Sequence, residues 1–459
     1  MNLAEDTAHE LLRALRKREI SARELLAEQL TRIESLNPTV RAVVSIDGDR
    51  ARVSARLADE ALARGRFLGP LHGLPMTVKD TFETAGLRTT AGSPALSDHR
   101  PTADAVAVAR LRAAGAVIVG KTNTPELAGD WQTTNELFGT THNPWDLTRT
   151  CGGSSGGSAA ALAAGLTPLE LGSDIGGSIR VPATLCGVTG HKPTHGIVPQ
   201  RGHIPGPPGS LSQPDLGVVG PLARSVADLA LALEVIAGPI PPQSLGWRLE
   251  LPAPSKSGLR SWRVAAVIDD SSMPVDASVR RVLSDSLDTL ASAGMTIDRQ
   301  PRLPVELHSV ADLYTTMLRP VVDGDRRLTH TQWLASNEHR LLLQQKLQEF
   351  FARYDVLLMP TFPVAAFGHD ARPAELRTLV VDGRPLPYTA TALFWPALAT
   401  LLHLPATALP VGLSAGGPSG LPVGLQVVGP YLGDLTTLAV ASDIERVVGR
   451  FTAPQHHGR

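Results

Sequence analysis

Two glycine-rich loops that carry serines are the segments of this chain best suited to chemistry. The first loop, residues 151–158, reads C-G-G-S-S-G-G-S, and the second, residues 174–180, reads D-I-G-G-S-I-R. A glycine-serine run alone is typical of a flexible linker. Between these loops, however, the sequence predicts a helix over 158–164, capped by Ser158, and a short buried strand over 166–171. A linker does not lie among packed elements, so we interpret the two loops as parts of one active site.

The second loop is suited to hold a developing negative charge. Glycine tolerates backbone angles closed to other residues and lets main-chain N–H groups approach a ligand closely. The N–H groups of Ile175, Gly176, Gly177 and Ser178 are predicted to converge near the start of the next helix, where partial positive charge collects. Such convergence predicts an oxyanion hole.

A serine hydroxyl attacks well only when a base removes its proton. The candidate base is Lys79, at the end of a strand predicted within residues 71–80. Most lysines are solvated surface charges, so the assignment depends on a wider pattern. To act near neutral pH, Lys79 needs a pKa well below the value of about 10.4 of a free lysine, and burial without a carboxylate partner supplies such a shift. The adjacent Asp80 is expected to point to the other face of the strand.

Three motifs together resemble the amidase signature family of serine hydrolases, in particular its bacterial stand-alone amidases. They are G-L-P-M-T-V-K-D at 73–80, G-G-S-S-G-G-S-A-A-A at 152–161 and G-S-D-I-G-G-S-I-R-V-P-A at 172–183, in the family's order and with its spacing between the serines. Further similar segments are N-P-W-D at 143–146, G-H-K-P-T at 190–194 and G-L-P-V-G-L-Q at 420–426. The resemblance extends from about residue 5 to about residue 448.

The resemblance implies a mechanism that uses three side chains. Ser178 corresponds to the nucleophile, Ser154 to a bridging serine preceded by a cis peptide bond, and Lys79 to the base. Lys79 takes a proton from Ser178 through Ser154, Ser178 attacks the acyl carbon, and the relay protonates the leaving amine before water hydrolyses the acyl-enzyme. This chemistry needs neither a metal nor another cofactor.

Three neighbouring residues are expected to support the site. By resemblance, Asp174 and Arg180 form an ion pair that holds the second loop in shape, and Ser155 also supports the reacting groups from behind. Cys151 stands where the family usually has proline. We expect it to be a small buried apolar side chain, since a nucleophile there would lack the N–H groups of the second loop.

Motifs for another serine nucleophile, a phosphate or dinucleotide site and a metal site match this sequence less well than the amidase motifs do. Residues 153–157 match G-x-S-x-G, which makes Ser155 the nucleophile in an α/β-hydrolase, but residues 145–150 form a poor strand before it. The chain has no G-x-x-x-x-G-K-[ST] phosphate loop and no dinucleotide fingerprint. His191 and His195 are four residues apart, but a proline between them interrupts any shared helix, so we expect no metal site.

Composition limits the classes of partner. The 459 residues are 43% hydrophobic and carry a net charge of -1, which argues against nucleic-acid and membrane binding. Two cysteines give no disulfide framework, and the N-terminus lacks a cationic signal with an apolar core, so we expect a cytoplasmic protein. A small-molecule amide is the expected partner, and the expected oligomeric state is a monomer or homodimer.

Helix and strand patterns alternate along the chain. Helices are predicted at 104–114 and 277–293, and strands at 116–119, 264–268 and 356–359. This alternation predicts an α/β fold with a mixed, largely parallel central sheet covered by helices on both faces, and the resemblance makes it a single α/β/α domain over 1–459. Within it we predict the following segments: a catalytic core over 60–238, a linker-like segment over 239–258, a variable half that shapes the pocket over 259–448, and a frayed tail over 449–459.

Specificity must come from the pocket walls, because the relay itself is generic. By position in the family, Leu127, Trp131 and Phe394 are expected to line the pocket, although core packing is the alternative for each. An apolar pocket favours a small hydrophobic or aryl amide, with esters or carbamates as further substrates. The alternative function is the glutaminase-type subunit of a tRNA-dependent amidotransferase. A binding protein without activity is the third, least favoured reading.

Overall fold

The computed structural model describes residues 2, 4–322, 328–415 and 420–454. The α-helices within these residues are α1 (Ala8–Lys17), α2 (Ala22–Val40), α3 (Gly48–Ala63), α4 (Val106–Ala113), α5 (Gly156–Ala163), α6 (Arg180–Cys186), α7 (Val226–Ile236), α8 (Gln243–Gly246), α9 (Ala277–Ser292), α10 (Leu307–Val322), α11 (His330–Arg353), α12 (Tyr388–Leu401) and α13 (Asp434–Val448).

One large sheet runs through the described residues. Its eleven strands are β1 (Val43–Ile46), β2 (Pro75–Lys79), β3 (Val117–Thr122), β4 (Leu169–Asp174), β5 (Thr189–Lys192), β6 (Val218–Ala223), β7 (Arg263–Ala266), β8 (Thr296–Asp298), β9 (Val356–Pro360), β10 (Ala406–Ser414) and β11 (Leu421–Val428). Across the sheet the order is β1-β3-β2-β4-β6-β5-β10-β11-β9-β7-β8. Three two-stranded ribbons, 134–135 with 139–140, 142–143 with 146–150 and 378–381 with 384–387, lie outside it.

The prediction of an α/β fold with a mixed sheet is confirmed, but its largely parallel character is not. Of the ten neighbouring strand pairs described, four are parallel and six antiparallel. Fully buried strands have the same apolar pattern in either direction, so the sequence did not reveal the direction. The pair β10–β11 is the exception, because the few residues between these strands are too short to join parallel neighbours and so indicate an antiparallel pair.

Helices cover both faces of the central sheet. Every residue of β2, β3, β4, β6, β9 and β11 is buried. Because successive strand side chains point to opposite faces, a strand that is buried throughout has both faces covered. Helix α5 packs on β4, α7 on β6 and α13 on β10.

The predicted elements exist, with shifted boundaries near the site. The helix predicted over 158–164 begins earlier, at Gly156, and its N-cap is Ser155, whose side chain makes no capping bond; Ser158 lies inside the helix. The following strand is Leu169–Asp174 instead of 166–171, so it continues directly into the second glycine loop. The sequence did not predict a helix start at Gly156, because glycine has a low helix propensity.

The segment predicted as a linker, 239–258, contains the short helix α8 and exposes Leu245 and Trp247. Of the tail, residues 449–454 lie in neither helix nor strand, and the remainder of it, 455–459, lies outside the described residues. The predicted division into core, linker and variable half stays a prediction. In the part of the chain that the structure covers, no helix is both long and apolar enough to span a bilayer.

Candidate active site

The two glycine loops and the lysine meet at one edge of the sheet. β2 ends at Lys79 and its parallel neighbour β4 ends at Asp174, so the segments that follow them emerge on the same side. The first loop lies against the second, because the N–H of Ser155 donates to the carbonyl of Ser178 at 3.0 Å. The structure therefore brings together Lys79, Ser154 and Ser178, as the sequence predicted.

Lys79 contacts serine hydroxyls. Its Nζ donates to Oγ of Ser154 at 2.7 Å and to Oγ of Ser173 at 3.0 Å. The Gly153–Ser154 peptide bond is cis, as the resemblance implied. Ser154 and Ser178 line the same cavity, although no hydrogen bond between their hydroxyls is recorded for the described residues. Sequence reasoning missed Ser173; its place directly before Asp174 at the strand end was the available signal.

Burial suits Lys79 to act as a base. The side chain is fully buried, and this desolvation lowers the pKa of Lys79 to about 7, against the opposing attraction of the Asp174 carboxylate. A lysine with this pKa is uncharged for a large fraction of the time near neutral pH, as a proton acceptor must be.

The second loop offers fewer free N–H groups than predicted. The N–H of Gly177 donates to Oδ1 of Asp174 at 2.9 Å, so this group is not available to an oxyanion. Gly177 has a φ of 90°, in the left-handed region that favours glycine, which indicates that this glycine serves the turn. The N–H groups of Ile175, Gly176 and Ser178 have no protein acceptor recorded among the described residues, and they remain the candidate donors.

Asp174 and Arg180 form the buried ion pair that the resemblance implied. Nη2 of Arg180 is 3.0 Å from Oδ1 of Asp174, and both side chains are fully buried. Arg180 also donates to the side chains of Gln426 and Thr400 at 2.8 Å each, which ties the loop to β11 and α12. Desolvation opposes ionisation of Asp174, but the guanidinium of Arg180, the charge of Lys192 and the N–H of Ile179 together outweigh it and lower the pKa of this carboxyl.

Replacing Arg180 should therefore destabilise the whole protein. Arg180→Met leaves the Asp174 carboxylate buried without its partner, and we expect the free energy of unfolding to fall by about 3–5 kcal/mol. Urea denaturation followed by circular dichroism measures this loss. Arg372→Met is the control, since Arg372 is exposed and should change stability by about 0.5 kcal/mol or less. Equal stability of the two variants would contradict a structural role for the buried pair.

Two aromatic side chains hold the carbonyls of the second loop. The hydroxyl of Tyr314, on α10, donates to the carbonyl of Ile175, and Nε1 of Trp131 donates to that of Gly176 at 2.8 Å. In a trans peptide the C=O of one residue and the N–H of the next point in opposite directions. The bond from Tyr314 therefore fixes the direction of the Gly176 N–H, one of the candidate oxyanion donors.

Removing this bond should slow turnover without weakening substrate binding. We expect Tyr314→Phe to lower kcat about tenfold with KM nearly unchanged, less than the ~10²–10³-fold effect of losing an oxyanion donor itself. Steady-state kinetics measures the two constants. Tyr354→Phe is the matched control, since Tyr354 donates to Asp298 elsewhere and should leave kcat unchanged. A raised KM with unchanged kcat in Tyr314→Phe would assign Tyr314 to substrate binding instead.

A cavity of about 310 Å³ opens over the two serines. Its lining consists of residues 126–129, Ser154, 173–175, Ser178, Gln200, His203, Pro205, Pro214 and 217–218. Of the three predicted pocket residues, Leu127 lines this cavity. Trp131 is directed instead to the carbonyl of Gly176, and Phe394 packs in the core with 7% of its surface exposed, so both lie outside the lining.

The remaining predicted residues have supporting positions. Oγ of Ser155 donates to the carbonyl of Ser173 at 3.2 Å. Cys151 is fully buried, as expected, and burial raises the pKa of its thiol to about 12, which excludes a reactive thiolate at neutral pH. Within the described ranges, no cluster of His, Cys, Asp and Glu could hold a metal ion.

Comparison with known proteins agrees with the geometry. The family model named Amidase matches residues 24–327 and 315–438. A glutamyl-tRNA(Gln) amidotransferase subunit from Anaeromyxobacter sp. (strain K) is 35% identical over 95% of this chain and 94% of its own length. A solved structure described as an unexpected vestigial protein complex that reveals the evolutionary origins of an s-triazine catabolic enzyme has a TM-score of 0.84, 30% identity and coverage of 98% and 100%.

The structure of 6-aminohexanoate cyclic dimer hydrolase has a TM-score of 0.82 and 28% identity, with coverage of 99% of both chains. The family match covers most of the chain, and the motifs predicted from sequence lie together in the described site. The chain therefore belongs to the amidase signature family.

Proposed function

We propose that this protein cleaves the C–N bond of an amide through an acyl-enzyme on Ser178. The observation that carries the proposal is the environment of Lys79: a fully buried lysine whose hydrogen bonds, within the described residues, go to two serine hydroxyls and to no carboxylate. A structural lysine is normally paired with a carboxylate or reaches solvent. An unpaired lysine with a lowered pKa beside serines is suited to accept their protons.

The mechanism follows from the positions of the groups. Neutral Lys79 accepts the proton of the Ser154 hydroxyl, and Ser154 accepts that of Ser178 as its Oγ bonds to the acyl carbon. The carbonyl oxygen becomes an oxyanion held by the free N–H groups of the second loop. The C–N bond then breaks, and the proton returns through Ser154 to the leaving nitrogen. Water then attacks the acyl carbon while its proton passes through Ser154 to Lys79. The bond from that carbon to Oγ of Ser178 breaks, and the proton returns through Ser154 to Ser178, which frees the acid and restores neutral Lys79.

Similarity to relatives favours glutamine as the amide. The amidotransferase subunit that resembles this chain does so over nearly its whole length, which supports the alternative function better than a stand-alone amidase. In that function the enzyme releases ammonia from the side chain of glutamine for a partner protein. The second candidate function is a stand-alone amidase, which the similarity to the structure of 6-aminohexanoate cyclic dimer hydrolase supports.

The cavity does not suit an anionic group such as the α-carboxylate of glutamine. Among the described residues its lining contains no arginine or lysine, and the nearby Lys79 is neutral when it acts as a base. The acidic side chains of the lining are Asp174, which is paired with Arg180, and Glu126. The α-carboxylate of glutamine needs a cation or several donors to replace its hydration. The apolar walls, among them Leu127, Ile175 and Val218, suit a small aliphatic or aryl amide.

One experiment tests the mechanism and separates the two substrates. The purified protein is incubated with glutamine, butanamide, acetanilide, an aryl ester and an aryl carbamate, and released ammonia or amine, or alcohol or phenol for the ester and carbamate, is measured. Treatment with phenylmethanesulfonyl fluoride followed by peptide mass spectrometry locates the reactive serine. We expect modification of Ser178 and turnover of the uncharged amides. Turnover of glutamine alone would favour the amidotransferase function, and modification of another serine would refute the mechanism.

A further inference from the structure

One peptide unit of the second loop is held on both sides. Nε1 of Trp131 donates to the carbonyl of Gly176 at 2.8 Å, and the N–H of Gly177 donates to Oδ1 of Asp174 at 2.9 Å. This unit lies between the N–H groups of Gly176 and Ser178, two of the candidate oxyanion donors. A peptide unit is rigid and planar, so its orientation constrains the two donor-bearing units that are joined to it. Trp131 is therefore placed to influence both donors.

The position of Trp131 depends on the residue before it. Oδ1 of Asp130 accepts from the hydroxyl of Tyr388 at 2.7 Å and from the main-chain N–H of Trp131 at 2.7 Å. Oδ2 of Asp130 accepts from Nη1 of Arg377 at 2.5 Å. The ring of Tyr388 meets the indole of Trp131 edge to face, with centroids 5.8 Å apart. The carboxylate thus ties Trp131 to two side chains at the start of α12 and just before it.

The group formed by Asp130, Arg377 and Tyr388 is closed on itself. The guanidinium of Arg377 lies over the ring of Tyr388, with its central carbon 5.3 Å from the centroid. The side chains of Arg377 and Asp130 are only 11% and 19% exposed. Hydrogen bonds between charged groups that are shielded from water are stronger than those at an open surface. This group is suited to hold the indole in one position.

The same segment also packs against the first loop. A Cβ atom added to Gly153 would lie 2.4 Å from the carbonyl oxygen of Asp130 and 3.0 Å from Cα of Trp131, closer than atoms can pack. The glycine is therefore required for this close approach of the two backbones. Gly153 directly precedes Ser154, so residues 130 and 131 contact both loops of the site.

We propose that Asp130 is a positioning residue for the reaction at Ser178. Held by Arg377 and Tyr388, its carboxylate keeps the indole of Trp131 against the second loop, so that the free N–H groups there meet the oxyanion. Asp130 does not belong to the described lining of the cavity, so it acts on the rate and not on substrate binding. This inference rests on the proposed function.

Kinetics and a tetrahedral inhibitor test the proposal together. Asp130→Ala, Trp131→Phe and the double variant are compared with the wild type, using butanamide as substrate and propylboronic acid as inhibitor. In this inhibitor boron replaces the acyl carbon of butanamide, and its tetrahedral adduct with Ser178 carries an oxygen where the oxyanion forms. The concentration of active sites is obtained from sulfonylation of Ser178 by phenylmethanesulfonyl fluoride, so that unfolded protein is not counted.

We expect Asp130→Ala to lower kcat per active site about tenfold, with KM within about twofold of the wild type. The Ki of propylboronic acid should rise by about the same factor, because the donors contact the tetrahedral state and not the ground state. The double variant should lose no more than Trp131→Phe alone, since Asp130 acts through Trp131.

Two further variants separate positioning from stability. Asp130→Asn keeps an oxygen for the hydroxyl of Tyr388 and should recover most of kcat; it also serves as the test if Asp130→Ala does not fold. Asp355→Ala is the matched control, because Asp355 is 12% exposed and accepts from Nζ of Lys256 at 2.8 Å outside the site. This control should lower Tm and leave kcat and Ki unchanged.

The outcomes distinguish this inference from the proposed function. The inference is overturned if Asp130→Ala behaves like the Asp355→Ala control, if it raises KM with kcat unchanged, or if its loss adds to that of Trp131→Phe in the double variant. If the wild type is sulfonylated at Ser178 but does not hydrolyse butanamide, the rate of sulfonylation replaces kcat in the same comparisons. Failure of the proposed function itself gives a different result, in which Ser178 of the wild type is not sulfonylated, and the inference then falls with it.

Discussion

Ser178→Ala should lower kcat/KM for amide hydrolysis by about 10⁴-fold or more, because it removes the hydroxyl that attacks the acyl carbon in the proposed reaction. The change should hardly affect folding. No hydrogen bond from the Ser178 side chain is recorded for the described residues, so alanine leaves no donor or acceptor newly unpaired, and Tm should stay within about 2 °C of the wild type. Steady-state kinetics with butanamide and thermal unfolding followed by circular dichroism measure the two effects.

Ser155→Ala is the matched control for this variant. Ser155 is a buried serine of the first loop, and its hydroxyl donates to the carbonyl of Ser173. We expect its loss to lower kcat/KM by about tenfold or less, since it acts only on the position of the loop. The reverse result, an inactive Ser155→Ala beside an active Ser178→Ala, would favour the G-x-S-x-G reading of residues 153–157.

The resemblance to the amidase signature family implied the three proposed reacting groups, and local rules agree with their placement. Glycines mark the turns, and a polar residue at the end of a buried strand reaches the edge where parallel neighbours also end. Ser154 and Ser178 follow the first rule and Lys79 the second. The three groups come from segments that the sheet places side by side, so the order of motifs was enough to predict one site.

Contacts over long sequence distances could not be predicted in this way. Tyr314 reaches the carbonyl of Ile175, 139 residues away, and Arg180 reaches Gln426, 246 residues away. Such pairs depend on how whole elements pack, and an apolar or aromatic side chain suits either a pocket wall or the core. For this reason Trp131 was assigned to the pocket, whereas its indole supports the loop behind it.

The occupied N–H of Gly177 has a similar cause. The nest pattern indicated that successive N–H groups converge, but the Asp174 carboxylate accepts one of them and also accepts from the N–H of Ile179 at 3.1 Å. One acidic side chain thus shapes the turn, and one of its two donors, the N–H of Gly177, had been predicted to bind the oxyanion. Similarly, burial alone did not reveal which strands of the sheet run antiparallel.

Lys79→Met should abolish the reaction and at the same time stabilise the folded protein. Because the pKa of Lys79 is lowered to about 7, the wild-type rate should rise with pH up to about pH 7 and then level off, as the neutral lysine forms. Methionine cannot accept a proton, so we expect a loss in kcat/KM of about 10³-fold or more. A profile of log(kcat/KM) from pH 5 to 9 measures the rise with pH in the wild type and its loss in Lys79→Met.

The stability effect has a defined sign and pH range. In the unfolded chain Lys79 binds its proton up to about pH 10.4, whereas in the folded protein it releases it near pH 7. The unfolded state therefore binds more protons between these values, and the free energy of unfolding of the wild type rises with pH across this window. Lys79→Met removes this contribution, so its advantage, up to about 4 kcal/mol at pH 7, should fade toward pH 10.

Lys192→Met is the matched control, because it separates burial from catalysis. Lys192 is also buried, desolvation lowers its pKa to about 7, and its Nζ donates to the carbonyl of Pro193 at 3.0 Å, with no recorded contact to Ser154. We expect this variant to gain stability with the same pH dependence while it keeps its activity within about tenfold. The rise of kcat/KM up to about pH 7 should also remain in Lys192→Met, because Lys192 does not take part in the proton relay although it has the same pKa. Suppose instead that the rise of kcat/KM near pH 7 is lost in Lys192→Met and kept in Lys79→Met. Lys79 is then not the base, and its burial without a carboxylate partner has another cause.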